Sequence, residues 1–548
     1  MHTVSETIAG VVADHTTEVF ALMGNGNAYF TDALARQDRV RLTAVRHEAA
    51  TVASADAYQR ITRRTAVATT TYGPGYTNAL TPLAEAVCSR TPLVFVVGGE
   101  PTTGRRPWDV DQVQLAQSVG ARTLTVDADS PRAITRQAFS IAGSEHVPVV
   151  LFIPYDLASA PAADEVASSP VHQETTGWPV DSSQLEAFAG LLQGAQRPLI
   201  LAGRGASMAA TQLGALAERI GAITTTTAPA RGTFAGQNYD VGVCGGFASE
   251  TSSELIRQAD VVLAVGAGLN QFTTAFGTQF SPDCTLLQID VLPEATNQRV
   301  DRYFRSEAVE AVHALLEHLP EPQDLPVRWA GLAEHARSSR LNFDRDPGTG
   351  QAPDGLLDPR TAMVRLNEIL PANRQVVSDG GHFIGWSSYY FDLPAPDCLT
   401  MVGTQYQSIG LGLPSAPGAA IARPEATIVV ATGDGGGVMG LPDLDSLVRT
   451  ASSAVVLVFN DGCYGAEIHQ YGSQGLDEAI MEIDQLDFAK LAEGFGAKGL
   501  VVKTMQDIEE VQQWVSAGAQ GTLVLDLRIS RSIVAPYILE IIELTLKK

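Results

Sequence analysis

The run Thr427–Ala431 (TIVVA) continues into Thr432-Gly433-Asp434-Gly435-Gly436-Gly437, and Ala454–Phe459 (AVVLVF) ends in Asn460-Asp461-Gly462. Each is a short apolar stretch, rich in β-branched residues and stopped by Gly and Asp. Both read as buried strands of a parallel sheet. The segment from about Pro442 to Thr450 reads as the helix between them. Ligands in an open α/β sheet gather at the carboxyl ends of the strands, so Asp434 and Asp461 emerge on the same side. Two carboxylates beside glycine-rich backbone suit a hard divalent cation. Magnesium takes one or two carboxylates and completes its shell with water and phosphate oxygens. Gly433, Gly435 and Gly436 let the backbone approach a ligand and aim N–H groups at phosphate. The residues alone therefore read as a magnesium-bridged diphosphate site. The plainer alternative is a pair of Gly/Asp turns after buried strands, and the coupling of two acidic strand ends weighs against it.

The same rhythm extends outward. Ala66–Thr71, Pro92–Val97 and Val149–Ile153 read as strands near the N-terminus. Pro198–Ala202, Val261–Val265 and Thr285–Val291 read as strands in the middle. Helical patterns separate them, which predicts an α/β protein of doubly wound parallel sheets. Ala158–Ser182 and Arg345–Pro359, rich in Pro, Gly and small residues, read as linkers. Three α/β domains are expected, at 1–165, 185–335 and 358–548. The first and last could be related modules.

Composition narrows the function. The 548 residues carry 37 Lys plus Arg against 61 Asp plus Glu, a formal charge of −24, which argues against nucleic acid and anionic membrane surfaces as partners. Hydrophobic residues make up 45%, enough for large buried cores. No apolar run is long enough to span a bilayer, and Met1–Phe20 lacks the pattern of a secretory signal. Cys88, Cys244, Cys284, Cys398 and Cys463 are scattered, without zinc spacing. A cytoplasmic location is expected.

The GDG run followed by an Asn-Asp pair resembles the cofactor motif of thiamine-diphosphate enzymes. The resemblance implies that Asp434, Asp461 and the carbonyl of Cys463 hold Mg2+ against the cofactor's diphosphate. Asp461 stands where Asn is usual, and its carboxylate remains a competent magnesium ligand. A second stretch agrees: Val45-Arg46-His47-Glu48-Ala49-Ala50, then Asp56-Ala57-Tyr58, then Thr71-Tyr72-Gly73-Pro74-Gly75-Tyr76-Thr77-Asn78. It is similar to the RHE…ADGYAR…TSGPGATN run of the acetohydroxyacid synthase group. The chain is thus identified as resembling the acetohydroxyacid synthase / 2-oxo acid decarboxylase family, with pyrimidine-binding, central and diphosphate-binding domains. In that family a glutamate hydrogen-bonds N1′ of the aminopyrimidine and favours the tautomer whose N4′ takes the C2 proton. Glu48 falls on it.

Gln407-Ser408-Ile409-Gly410-Leu411-Gly412-Leu413-Pro414 resembles the family segment that bends the cofactor into a V. Ile409 falls on the bulky position, and the carbonyl of Gln407 would accept from N4′. Gly380-Gly381-His382-Phe383 resembles the stretch bordering the diphosphate, so Gly381 and His382 are expected cofactor contacts, as are Gly73, Asn78, Tyr464 and Gly465. The resemblance also implies a site shared between subunits, hence a homodimer at minimum, with homotetramers common among relatives.

The implied chemistry is decarboxylation of a small-molecule 2-oxo acid, with the acyl unit then protonated or passed to a second carbonyl. Carboligation is the leading expectation. Gln112 matches the family's substrate-loop glutamine and is expected to be catalytic. Asp111 replaces a Phe, Tyr72 a Ser, Glu467 an apolar residue, and Gln470 stands where the acceptor-selecting Trp would be. Together with Asn25 these are expected to face substrate, in a pocket more polar than that of acetolactate synthesis. FAD is the lesser expectation: Gly203-Arg204-Gly205, Ala230-Arg231-Gly232 and Gly266-Ala267-Gly268 could approach a dinucleotide, but GxG turns serve bare structure equally well. The competing readings are a simple decarboxylase, a flavin-linked oxidase, and a non-catalytic assembly protein. The intact Glu48, Asp434 and Asp461 stand against the last.

Overall fold

A computed structural model describes residues 2–163, 182–237, 239–320, 328–329 and 345–546. It contains three six-stranded sheets, parallel throughout the paired strands. The first comprises β1 Glu18–Ala21, β2 Arg41–Ala44, β3 Ala66–Thr70, β4 Leu93–Gly99, β5 Arg122–Thr125 and β6 Pro148–Pro154. The second comprises β7 Pro198–Ala202, β8 Ile223–Thr226, β9 Asp240–Val243, β10 Val261–Val265, β11 Thr285–Asp290 and β12 Arg302–Arg305. The third comprises β13 Arg374–Ser378, β14 Leu399–Met401, β15 Thr427–Gly433, β16 Ser453–Phe459, β17 Lys498–Val502 and β18 Gly521–Leu527. Helices cover the sheets, and the central strands are buried along most of their length, as their unbroken apolar runs require.

The order across the first sheet is β2-β1-β3-β4-β6-β5, and across the third β14-β13-β15-β16-β18-β17. Counted from its own first strand, each sheet follows the same path. The middle sheet differs, at β12-β11-β10-β7-β8-β9. In the outer sheets the order reverses between the first and third strands of each. A crevice opens there, because successive connections leave in opposite directions.

The segment 345–358 has no helix or strand of its own, yet it is packed rather than loose. Asp358 is fully buried and paired with Arg360 at 2.7 Å, and the Tyr390 hydroxyl donates to the Asp346 carbonyl at 2.7 Å. Most of the expected linker at 158–182 lies outside the described residues.

The outer domains of one chain dock through the helices Glu48–Thr62 and Gly412–Ala422. Ser54 Oγ donates to the Pro414 carbonyl at 2.7 Å. The helices cross so closely that a Cβ on Gly418 would lie 1.9 Å from the Ser54 carbonyl oxygen. That contact is with backbone, so the helices themselves would have to part. Gly418→Ala is expected to destabilise the protein by roughly 1–3 kcal/mol or more, the cost of overpacking a tight core. An unchanged thermal melting curve would show that the crossing is looser than this.

Candidate active site

The crevice of the third sheet gathers most of the residues expected to bind cofactor. Asp434 opens the short helix Asp434–Met439 directly after β15 and is 5% exposed. Its Oδ1 accepts from the Gly435 N–H and its Oδ2 from the Gly462 N–H, both at 2.8 Å. Asp461 follows β16. Burial, and then the charge of Asp461, push Asp434 up to about 7. Burial likewise raises Asp461, against hydrogen bonds from Cys463 that lower it. Arg531 donates to the Asp461 backbone carbonyl at 3.4 Å and pairs with Glu482 at 3.2 Å. A buried acid beside a half-buried one whose charge repels it fits a hard dication, which would compensate both. Among the described residues no three His, Cys, Asp or Glu side chains converge as a metal cluster. A cation here would therefore draw on the two carboxylates, backbone and ligand oxygens, the way magnesium is usually held.

Around this pair lies a cavity of about 1120 Å³. Gly381, His382, Gln407, Ile409, Gly433, Gly435, Gly436, Cys463, Tyr464, Gly465, Glu467 and Gln470 all line it. A Cβ on Gly465 would stand 3.2 Å from both Asp461 Oδ2 and His382 Nδ1. His382 is buried, and burial followed by the neighbouring His469 drives its pKa down to about 3. Its Nε2 lies 2.9 Å from the Ala535 N–H and accepts from it, so the ring is neutral with its proton on Nδ1. The Tyr537 hydroxyl braces the same loop by donating to the Gly381 carbonyl at 2.6 Å. Gln407 sits at φ +63, a left-handed conformation unusual for a residue with a side chain and common at functional sites.

One residue that holds this crevice together was not singled out from the sequence. Asp379 follows β13 and is fully buried. It accepts from the N–H groups of Gly380 at 2.8 Å, Gly410 at 3.0 Å and Leu411 at 3.2 Å, and from Thr432 Oγ1 at 3.2 Å. It thereby joins the His382 loop, the Ile409 segment and the strand that ends at Asp434. Burial raises its pKa to about 6 against those hydrogen bonds. The signal was present in Val376-Val377-Ser378-Asp379-Gly380-Gly381, an acidic strand end followed by two glycines, as at Asp434.

The second group sits at the crevice of the first sheet. Glu48 begins its helix half-buried, and its Oε2 accepts from Asn78 Nδ2 at 3.1 Å. Asn25 Nδ2 donates to the Tyr72 hydroxyl at 2.9 Å. The Arg106 guanidinium lies 4.0 Å from the Tyr72 ring centre and is paired with Asp109 at 2.7 Å. Gln112 is buried with both ends engaged: Oε1 accepts from the Gly73 N–H at 2.7 Å, and Nε2 donates to the Gly98 carbonyl at 2.9 Å. What Gln112 does in this structure is hold the Gly73 and Gly98 turns. Asp111 is exposed and caps its helix, accepting from the Gln114 N–H at 2.9 Å.

None of this second group lines the cavity that holds Asp434 and Asp461. Within one chain the two groups are each assembled but are not brought together. Of the glycines read as a dinucleotide approach, Gly203 and Gly266 cross closely, a Cβ on Gly203 lying 2.0 Å from the Gly266 carbonyl oxygen, while Gly205, Gly266 and Gly268 line the cavity.

Comparison with known proteins agrees with the geometry. "Thiamine pyrophosphate enzyme, N-terminal TPP binding domain" matches residues 2–118, the central domain of the same family matches 185–319, and its C-terminal TPP binding domain matches 379–527. The chain belongs to the thiamine pyrophosphate (thiamine diphosphate) enzyme family. Within it, the relatives define an enzyme of the acetohydroxyacid synthase / 2-oxo acid decarboxylase group. "Acetolactate synthase" of Mycobacterium leprae is 26% identical, over 93% of this chain and 84% of the relative. "Acetolactate synthase large subunit" of Buchnera aphidicola subsp. Schizaphis graminum is 25% identical, over 96% and 94%. "Probable 2-ketoarginine decarboxylase AruI" of Pseudomonas aeruginosa is 28% identical, over 95% and 91%. No described helix is long and apolar enough to cross a membrane.

Proposed function

We propose that this enzyme binds thiamine diphosphate through Mg2+ at Asp434, Asp461 and the Cys463 carbonyl, and decarboxylates a 2-oxo acid bearing a polar or basic end. It then passes the acyl unit to a second carbonyl. The carrying observation is the pairing of buried Asp434 with half-buried Asp461 at adjacent strand ends, beside the glycine turn of a large cavity. Thiamine diphosphate, when bound, supplies the electron sink that lets a 2-oxo acid lose CO2. The chain's own residues do the rest. Glu48, steadied by Asn78, presents a carboxyl group to a ring nitrogen and holds or yields a proton there. The Gln407 carbonyl accepts from the exocyclic amine, and Ile409 supports the bend. His382 offers an uncharged N–H donor towards the diphosphate end. Gln112 acts by fixing the turn at Gly73.

Because Glu48 and Asp434 belong to separate clusters in one chain, the complete site is proposed to form between two chains, with a homodimer as the smallest working unit. Domain limits of 1–165, 185–335 and 358–548 and a cytoplasmic location are part of the same reading. A second reading, simple decarboxylation of a basic 2-oxo acid, is favoured by Glu467 on the cavity wall and by the relative named as a probable 2-ketoarginine decarboxylase.

The test is incubation with thiamine diphosphate, Mg2+ and a panel of 2-oxo acids carrying alkyl, hydroxyl, amino or guanidino ends, with mass spectrometry of the products. Consumption of a polar or basic substrate is expected, and it should stop when the metal is chelated. Turnover of unsubstituted pyruvate pairs alone would refute the polar pocket. An aldehyde as the sole product would select decarboxylation over carboligation.

A further inference from the structure

Glu85 lies in the helix Leu80–Cys88 of the N-terminal domain and is only 1% exposed. Its Oε1 accepts from Arg60 Nη2 at 3.0 Å and from Ser89 Oγ at 3.1 Å. Its Oε2 leaves the domain altogether. It accepts from the backbone N–H groups of Gln405 at 3.0 Å and Tyr406 at 2.8 Å, in the loop of the third sheet that leads to Gln407 and Ile409. Arg60 grips the start of the same loop, donating through Nη1 to the Met401 carbonyl at 2.7 Å, while Asp56 balances its charge at 2.6 Å. Asp379 holds the far end at Gly410 and Leu411. The left-handed Gln407 and the side chain of Ile409 lie between the Glu85 and Asp379 anchors.

A carboxylate buried as deeply as Glu85 is costly when left without donors. Arg60 and the two amides satisfy Glu85, and Glu85 satisfies them. Such a contact is rigid, because releasing the loop would leave Glu85 Oε2 without a donor in the interior. Gln407 follows Tyr406 directly, so the direction of its carbonyl is set within one residue of the clamp.

We infer that Glu85 is a positioning residue for the cofactor: through the Gln405 and Tyr406 amides it fixes the Gln407 carbonyl and Ile409 where the pyrimidine and the bend of thiamine diphosphate are read. This rests on the proposed function. With it, each N-terminal domain serves two sites, the partner's through Glu48 and its own chain's through Glu85.

The experiment compares the full-length wild type with Glu85→Gln. Amide hydrogen exchange over 403–409 is measured without cofactor, and the Kd for thiamine diphosphate is measured in Mg2+ well below the melting transition. The amide keeps the size of the side chain but loses the charge that faces Arg60 and the two N–H groups. Faster exchange at Gln405 and Tyr406 is expected, with binding weaker by about tenfold, the loss of one charge-assisted interaction. A merely structural role would lower the melting temperature and leave the Kd alone, and that result would overturn the inference. So would unchanged amide exchange. Should Glu85→Gln fail to accumulate as folded protein, Glu85→Asp keeps the charge, shortens the reach by one methylene and is judged on the same readouts. A wild type that does not bind thiamine diphosphate at all would refute the proposed function itself, and the cofactor role of Glu85 with it.

Discussion

Glu48→Gln is expected to abolish most turnover while leaving thiamine diphosphate and Mg2+ bound. The amide has the same shape and can still meet Asn78 Nδ2, now 3.1 Å from Oε2, through its carbonyl oxygen. What it loses is the ability to exchange a proton with a ring nitrogen. Losing a positioned acid–base group costs on the order of 10²–10⁴-fold in rate. The loss should fall on kcat, because the residues proposed to grip metal and diphosphate lie in the other cluster. Steady-state kinetics with a cofactor titration checks this. A variant with wild-type kcat, or one that fails to bind cofactor while remaining folded, contradicts the role given to Glu48.

Asp434→Asn is expected to do the reverse, separating binding from stability. Metal-dependent cofactor binding should fall by more than the roughly 10–100-fold that follows loss of an outer-shell partner of a metal. The protein without metal should hardly suffer. The asparagine retains one acceptor for the Gly435 or Gly462 N–H and forfeits the other, costing about 1 kcal/mol. Against that, it removes a buried acid that Asp461 repels. Thermal melting of the metal-free variant should therefore stay close to wild type while calorimetry finds little Mg2+-dependent binding. Undiminished binding would mean that the cation, if one is held, is held elsewhere.

The strand frame was legible because buried parallel strands announce themselves locally. Ala66, Pro198, Val261 and Thr427 each begin a strand where the apolar runs predict it; two of these strands also end as predicted, and the other two differ by one or two residues. The acidic strand ends at Asp434 and Asp461 were legible for the same reason, since a turn residue after a β-branched run is a short-range signal. Contacts between distant parts of the chain were not. Glu85 meets amides 320 and 321 residues away, and no pattern around either partner records the other. Gln112 and the pair Gly203 and Gly266 mark another limit. A glutamine or a glycine at a turn shows that something approaches closely, but not whether it is a ligand or the protein's own backbone. Gln112 meets backbone at both ends, while Gly266 both crosses Gly203 and lines the cavity.

The separation of Glu48 from the Asp434 cavity carries a genetic consequence. If the missing half of each pocket comes from another chain, a single gene product encodes parts for two pockets and completes neither. Lesions in different halves of the gene would then complement inside a mixed pair, one pocket inheriting both faults and the other none. Lesions in the same half would not. The heritable unit would be the polypeptide, and the working unit the couple.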